Sequence, residues 1–311
     1  MNGKIIDFMQ WRKIAGAASI ALFVLSLVFL VVRGINFGLD FTGGALIEVE
    51  YVEAAPVQEI RQTLTEAGYR DVTVQLFGSE TDVMIRFQAD NDPDLGNKVV
   101  DLLTASGAEL ELLRNEFVGP SVGEELRDKG GLGLMLALAV VLVYVAFRFQ
   151  FKFGIGAVAA LIHDVVIIGG IFALFQLEFD LTVLAALLAV IGYSLNDTIV
   201  VSDRIRETFQ ESTETDVVKL INIALTDTLS RTLITSFTTA LVLIALLIFG
   251  GQMLAGFAEA LLIGVVVGTY SSIYVSSNIL LATNLTRQDM IPPSREEPDL
   301  TEEKPSWLQD D

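Results

Sequence analysis

The chain has 311 residues, no cysteine, a single histidine, 52% hydrophobic residues and a formal charge of −19, with a mean hydropathy of +0.56. Its apolar residues come in long blocks, which excludes an ordinary soluble domain and marks a polytopic membrane protein. The missing cysteine removes disulfides, thiolate catalysis and Cys-based metal sites, and the acidic balance argues against nucleic acid as a partner, because phosphate contacts call for clustered Lys and Arg.

Residues 1–13 are polar and basic, with Lys4, Arg12 and Lys13, and read as a cytoplasmic N-terminus. Ile14 to Val32 is apolar and, at about 1.5 Å per residue, comes close to spanning the roughly 30 Å hydrocarbon core. It is longer than a signal-peptide core and no small-residue cleavage site follows, so residues 14–32 are expected to form an uncleaved first membrane helix.

Residues 33–130 follow as an exported soluble domain. After the Gly43-Gly44 turn come a strand (Ala45 to Tyr51), a helix (Val57 to Ala67) stopped by Gly68, and strands Val72 to Phe77 and Asp82 to Phe87 around Gly78-Ser79. A helix from Leu95 to Ser106, stopped by Gly107, and a strand from Glu109 to Val118 complete it. That order is the ferredoxin-like split βαβ pattern. The expected fold class is therefore an α-helical polytopic membrane protein of six transmembrane helices, with an exported α+β ferredoxin-like domain between helices 1 and 2.

VGPSVGEELRDKGG leads back to the membrane, and residues 131–283 hold the other five spans: Gly131 to Phe147, Phe153 to Phe175, Leu181 to Val201, Thr232 to Phe249 and about Phe257 to Leu280. The turn RFQFK is basic and the connection after Val201 carries Arg204, Arg206 and Lys219, whereas QLEFD and GGQMLAG lack Lys and Arg. The positive-inside rule then puts both termini in the cytoplasm and residues 33–130 outside. Within the connection, about 203–230, the spacing of Val217, Leu220, Ile221, Ala224 and Leu225 predicts an amphipathic helix along the inner interface. Residues 284–311, with Arg287 and Arg295 and a Pro- and Glu-rich stretch from Pro292, are expected to be a disordered acidic cytoplasmic tail.

Polar residues inside the spans carry the functional signal. Asn196, Asp197 and Thr198 interrupt the fourth span, where a charge costs roughly 2.5–3.5 kcal/mol and needs a bundle interior or a wet cavity. Arg231, opening the next span, lies at similar depth if the two helices are antiparallel neighbours. Two readings stand side by side: a structural Asp–Arg clasp, or a protonatable site in which burial disfavours the carboxylate's charge and the guanidinium favours it. Asp164 in the third span could cap a network with Arg231 or serve as a relay step, and His163 beside it reads equally as a packing residue. Arg231, Thr235 and Thr238 make a polar stripe. Gly192, Gly264 and Gly268 are candidates for helix packing, the last two as a GxxxG pattern ahead of Tyr270, Ser271 and Ser272. No GxxxxGK[ST] loop occurs, the His163-Asp164 doublet has no second histidine for a metal, and Ser194 in GYSLN is no nucleophile elbow. A non-enzyme without cofactor, driven by an ion gradient with the proton first in line, is expected; each charge crossing is worth about 2.3 kcal/mol per 100 mV.

FGLDFTGG after the first span, VGPSVGEEL before the second, RFQFKF and HDVVIIGGIF around the third, GYSLNDTIVVSDRIRE in the fourth and TLSRTLITSFTT in the fifth together resemble the SecF family. This is the smaller half of the bacterial SecD–SecF protein-export complex, within the resistance-nodulation-division superfamily. The match runs from about Ile14 to Leu285; Ser202 departs from it, where the family usually carries Phe. The resemblance implies a cytoplasmic (inner) membrane subunit that pairs with SecD across a pseudo-two-fold axis, beside SecYEG and often YajC. Proton flow would move the exported domains and help to pull unfolded preprotein outward after SecA has acted, with Asp197 and Arg231 lining the proton path. Two other functions are weighed against it: a lipid or small-molecule exporter of the same superfamily, and a passive translocon scaffold.

Overall fold

The computed structural model describes residues 5–69, 72–77, 79–87, 92, 94–286 and 289; Lys4, Gly78, Arg287, Arg295 and the tail from Pro292 lie outside them. A 3-10 turn, Phe8–Trp11, leads into α1 (Arg12–Val32). Then come β1 (Asn36–Phe37), α2 (Leu39–Thr42), β2 (Gly44–Tyr51), α3 (Val57–Glu66), β3 (Val72–Leu76), β4 (Asp82–Phe87), α4 (Leu95–Ala105) and β5 (Leu110–Val118). The remainder is α5 (Pro120–Arg148), α6 (Phe151–Phe175), β6 (Glu178–Phe179), α7 (Leu181–Glu211), α8 (Val217–Phe249) and α9 (Gln252–Ala282). Among the described residues six helices, α1 and α5 to α9, are long and apolar enough to cross a membrane.

The main sheet has the order β3-β4-β2-β5 with every neighbouring pair antiparallel. Alternation along β2 and β4 sends Ala45, Ile47, Val49, Val83, Ile85 and Phe87 to one face, where Ile60 and Leu64 of α3 and Val99 and Leu103 of α4 cover them. Gly68 and Gly107, both at φ +96°, stop those two helices where a side chain would be strained. Leu46 and Met84 on the opposite face pack on Leu39. Glu48 lies on that face too, buried, 3.2 Å from Arg114, which also holds Glu116 at 2.8 Å.

Several boundaries differ from the sequence expectation, each for a physical reason. NFGLDFTGG is more than a lead-in: Asn36 and Phe37 pair in parallel with Glu178 and Phe179, and Leu39–Thr42 makes a helical turn. The second long helix begins at Pro120 rather than Gly131, since proline at the first helical position has its φ already set. Gly43 (φ +67°) and Gly123 are needed there, because a Cβ on Gly123 would sit 2.7 Å from the Gly43 nitrogen. The fourth span runs on to Glu211, capped at its start by the Asp180 carboxylate. The stretch expected as a separate interfacial helix within 203–230 is instead the first turns of α8, which start at Val217. Its apolar side does not lie on a lipid surface: Leu220, Ile221, Ala224 and Leu225 pack on Val201, Ile205, Phe209, Leu280 and Met9.

Half of the apolar stretch of α6 and 44% of that of α7 is buried within the chain, against 6% for α5 and 11% for α8. The bundle therefore has α6 and α7 at its centre, while α5 and α8 turn most of their side chains outward.

Burial raises the Glu48 carboxyl above its ordinary value of 4.5, and the opposing pull of Arg114 does not cancel it. A raised folded-state value means that stabilisation is complete below pH 4.5 and is lost as pH rises through the folded value. Glu48→Gln should raise the unfolding midpoint at neutral pH, and its advantage should vanish below pH 4.5 in a pH series of thermal melts.

Candidate functional site

Small residues set the contacts around the centre of the bundle. A Cβ on Gly264 would fall 2.2 Å from Val190 Cγ2, and one on Gly268 would fall 3.1 Å from Ser194 Cβ, so α9 lies directly against α7. Gly170 meets Ser26 of α1 in the same way, at 2.2 Å. Gly192, expected as a third packing glycine, does not act so within this chain: it is exposed, with nothing within 4 Å of where its Cβ would stand.

At the depth of Gly268 stands Asp164, fully buried on α6. Ser194 of α7 donates to its Oδ2 at 2.5 Å and Ser271 of α9 to the same oxygen at 2.7 Å. His163 Nδ1 lies 2.9 Å from Oδ1. The His163 ring is also buried and stacks on Tyr270, with centroids 6.5 Å apart. Tyr270 accepts from Ser19 and donates to the Ala15 carbonyl, which brings in α1. Asp164 thus has hydroxyl donors from α7 and α9 and His163 beside it on α6, and among the described residues it makes no pair with Arg231. The expected network is there, but its partners are His163, Ser194 and Ser271 rather than Arg231.

Asp197 follows Ser194 by one turn of α7. It is 4% exposed, and its Oδ2 is buried without a hydrogen-bond partner among the described residues. Thr198, beside it, is 1% exposed and its hydroxyl is likewise unpartnered. Asn196 points the other way and is exposed, in line with Ala185, Ala189 and Gly192. Arg231 is exposed on α8, and it closes no ion pair with Asp197 among the described residues. The expected clasp is therefore not formed within the chain. Thr235 and Thr238 continue the exposed face of Arg231, each donating to its own helix.

The start of α7 is tied to the sheet domain. Asp40 accepts from the Leu181 amide at 3.0 Å, the Gly38 amide donates to the Phe179 carbonyl at 2.8 Å, and Arg86 forms an ion pair with Glu178. One helix therefore carries Ser194 and Asp197 at its middle and the domain's anchor at its end. Sequence reading singled out Asp164, Asp197 and Arg231; it set Ser194 aside as a failed elbow and took Ser271 for packing. The signal for both was the hydroxyl at the depth of a buried carboxylate, which needs the helix register to be seen.

A buried carboxylate stripped of a donor keeps its desolvation cost. Ser194→Ala and Ser271→Ala should each lower stability by about 1–3 kcal/mol, and the double variant should be non-additive in detergent unfolding because both hydroxyls serve one oxygen.

The model for "Protein export membrane protein SecD/SecF, C-terminal" matches residues 98–286, and that for the "SecD/SecF GG Motif" matches residues 28–55. The chain is 50% identical over 297 residues to the protein translocase subunit SecF of Pseudomonas aeruginosa, covering 94% of this chain and 97% of that one. It is 47% identical to the subunit of the same name in Vibrio alginolyticus, with 94% of each covered. The crystal structure of SecDF, a translocon-associated membrane protein from Thermus thermophilus, matches with a TM-score of 0.82 at 36% identity over 90% of this chain. This chain spans 39% of that longer one. SecDF in its super-membrane-facing form matches with a TM-score of 0.68, also at 36% identity, covering 91% of this chain and 39% of that one.

Proposed function

The chain belongs to the SecD/SecF family of protein-export membrane proteins, and on that premise we propose that it is an auxiliary Sec translocase subunit that works with SecD and spends the proton-motive force on late steps of preprotein export. In this reading it sits in the bacterial cytoplasmic membrane beside SecYEG, with YajC as a further neighbour. Both termini are cytoplasmic and the ferredoxin-like sheet domain, within residues 33–130, is outside. SecA delivers the preprotein; the sheet domain acts on the unfolded chain as it emerges.

One observation carries the proposal. Asp197 is a buried carboxylate with an oxygen that has no partner among the described residues, set behind the exposed faces of α7 and α8 that hold Asn196, Gly192 and Arg231. Asp164 has partners on three helices, whereas Asp197 Oδ2 has none among the described residues; in this reading Asp197 is the carboxylate that exchanges its charge. SecD would cover the open faces and complete the path. A proton on Asp197 cancels the attraction to Arg231, and the resulting shift of α7 reaches the sheet domain through Asp40 and Arg86. Each proton crossing brings about 2.3 kcal/mol per 100 mV, comparable to a few hydrogen bonds at that joint.

The groove between Tyr51, Glu59 and Glu109 is rimmed by carboxylates rather than lined for an apolar cargo.

Asp197→Asn and Arg231→Met should each abolish gradient-stimulated export from membrane vesicles while the protein accumulates normally; disappearance of the protein itself would instead support a structural clasp. Imposing proton and sodium gradients separately on right-side-out vesicles identifies the ion. Stimulation by the proton gradient alone is expected, and export indifferent to both would favour a passive scaffold.

A further inference from the structure

At the end of the bundle opposite the sheet domain, most basic side chains are already matched. Arg148 pairs with Asp203, Lys152 with Asp289, Arg204 with Asp227 and Lys219 with Glu214. Arg12 and Lys13, side by side at the start of α1, form no ion pair among the described residues. The acid nearest to them in sequence, Asp7, is taken up by the Asn222 amide and the Gln10 backbone.

These two cations stand at the mouth of a groove of about 630 Å³ between α1 and the ends of α8 and α9, within the roughly 300–1,000 Å³ of ordinary ligand clefts. Arg12, Lys13, Gly16, Ala17 and Ile20 recur at three and four residues on one face of α1 and line one wall; Leu281 and Val218 line the other. The Asn278 amide donates to the Arg12 carbonyl at 3.1 Å, and a Cβ on Gly16 would come 3.3 Å from the same nitrogen. The helices therefore meet at Gly16, and the small, exposed Ala17 leaves the space beside that contact open. From Arg12 to Ile20 the wall runs about 12 Å along the helix axis, against a hydrocarbon half-thickness of about 15 Å. Trp11, 56% exposed, marks the headgroup level at the upper end.

We propose that this groove is a site for one acidic phospholipid, its phosphate between Arg12 and Lys13 and one acyl chain laid along Gly16, Ala17 and Ile20. Charge and depth together select that occupant. An acidic peptide segment would match the cations but could not follow the groove inward, because carboxylates are expelled from the depth of Ile20. A neutral lipid would fill the inner part and leave both cations unmatched. The apolar wedge of about 440 Å³ between α5 and α6 is the internal comparison: Val145, Ile155 and Val158 line it, but the bases of its turn, Arg148 and Lys152, already hold carboxylates. It can take a tail and has no free charge for a headgroup. The choice of leaflet rests on the orientation proposed above, which puts the site in the inner one.

The test counts lipids retained by the purified complex with the partner subunit in native mass spectra, after titration with phosphatidylglycerol or with phosphatidylcholine of the same chains. R12Q/K13Q should weaken the tightest phosphatidylglycerol site about 30-fold, at roughly fivefold per cation. A17F, which fills the groove and keeps both charges, should lose the same lipid, and neither variant should change phosphatidylcholine retention. R206Q removes a base outside the groove and should change nothing. The intact complex in the same spectra shows that each variant has folded. Undiminished phosphatidylglycerol binding in R12Q/K13Q or in A17F overturns the proposal, as does an equal loss in R206Q, which would mean diffuse attraction. Displacement by glycerol phosphate as readily as by phosphatidylglycerol would make this an anion site, and retention that appears only after removal of residues 290–311 would make the chain's own tail the occupant; either result overturns it. If labelling placed the N-terminus outside, the orientation would fall and the lipid site would stand in the other leaflet.

Discussion

A carboxylate inside an apolar bundle is costly without hydrogen-bond partners, and Asp164 has them on α6, α7 and α9. Three helices are therefore held at one depth by one side chain. The small residues bear on this directly: Ser271 of α9 shares Asp164 Oδ2 with Ser194 of α7 where α9 lies against α7 at Gly264 and Gly268. Tyr270 extends the hold to α1 through Ala15 and Ser19. The centre is thus specified by polar geometry in surroundings where apolar contact alone distinguishes poorly between registers.

The position of α7 turns that centre into something that can work. One of its faces is locked to Asp164, the next turn presents Asp197 with an open oxygen, a third face is bare, and its first residues are clamped to the sheet domain. Asp197 closes no ion pair among the described residues, and in the coupling proposed above a change of its charge would be carried along α7, which is unbroken over its 31 residues. The β1–β6 ladder and the Arg86–Glu178 pair join the start of that helix to the sheet domain.

Much of this was legible in the residues, and the rest had a reason to be hidden. The strands and helices of the sheet domain follow period 2 and spacing of three and four, with Gly68 and Gly107 marking the stops, so their boundaries fall within a residue or two of the pattern. The ladder of Asn36–Phe37 with Glu178–Phe179 joins segments far apart in the chain by two residues a side, too few to show any period. The helical stretch from Val217 was recognised by its spacing and assigned to the wrong surroundings, since an amphipathic stripe looks the same whether lipid or Val201, Ile205 and Leu280 cover it. Asp197 and Arg231 stood out by insertion cost, but their mutual geometry did not: depth along two helices can be counted from sequence, and rotation about each axis cannot.

The rotation that the structure supplies leaves one side of α8 bare. Arg231, Thr235 and Thr238 share one helix side with Leu241 and Val242, and all are exposed. A guanidinium facing acyl tails is costly, and no carboxylate among the described residues forms an ion pair with it. Leaving it outward, on a poorly buried helix and beside the bare strip of Ala185, Ala189, Gly192 and Asn196, is consistent with a surface shaped for another polypeptide.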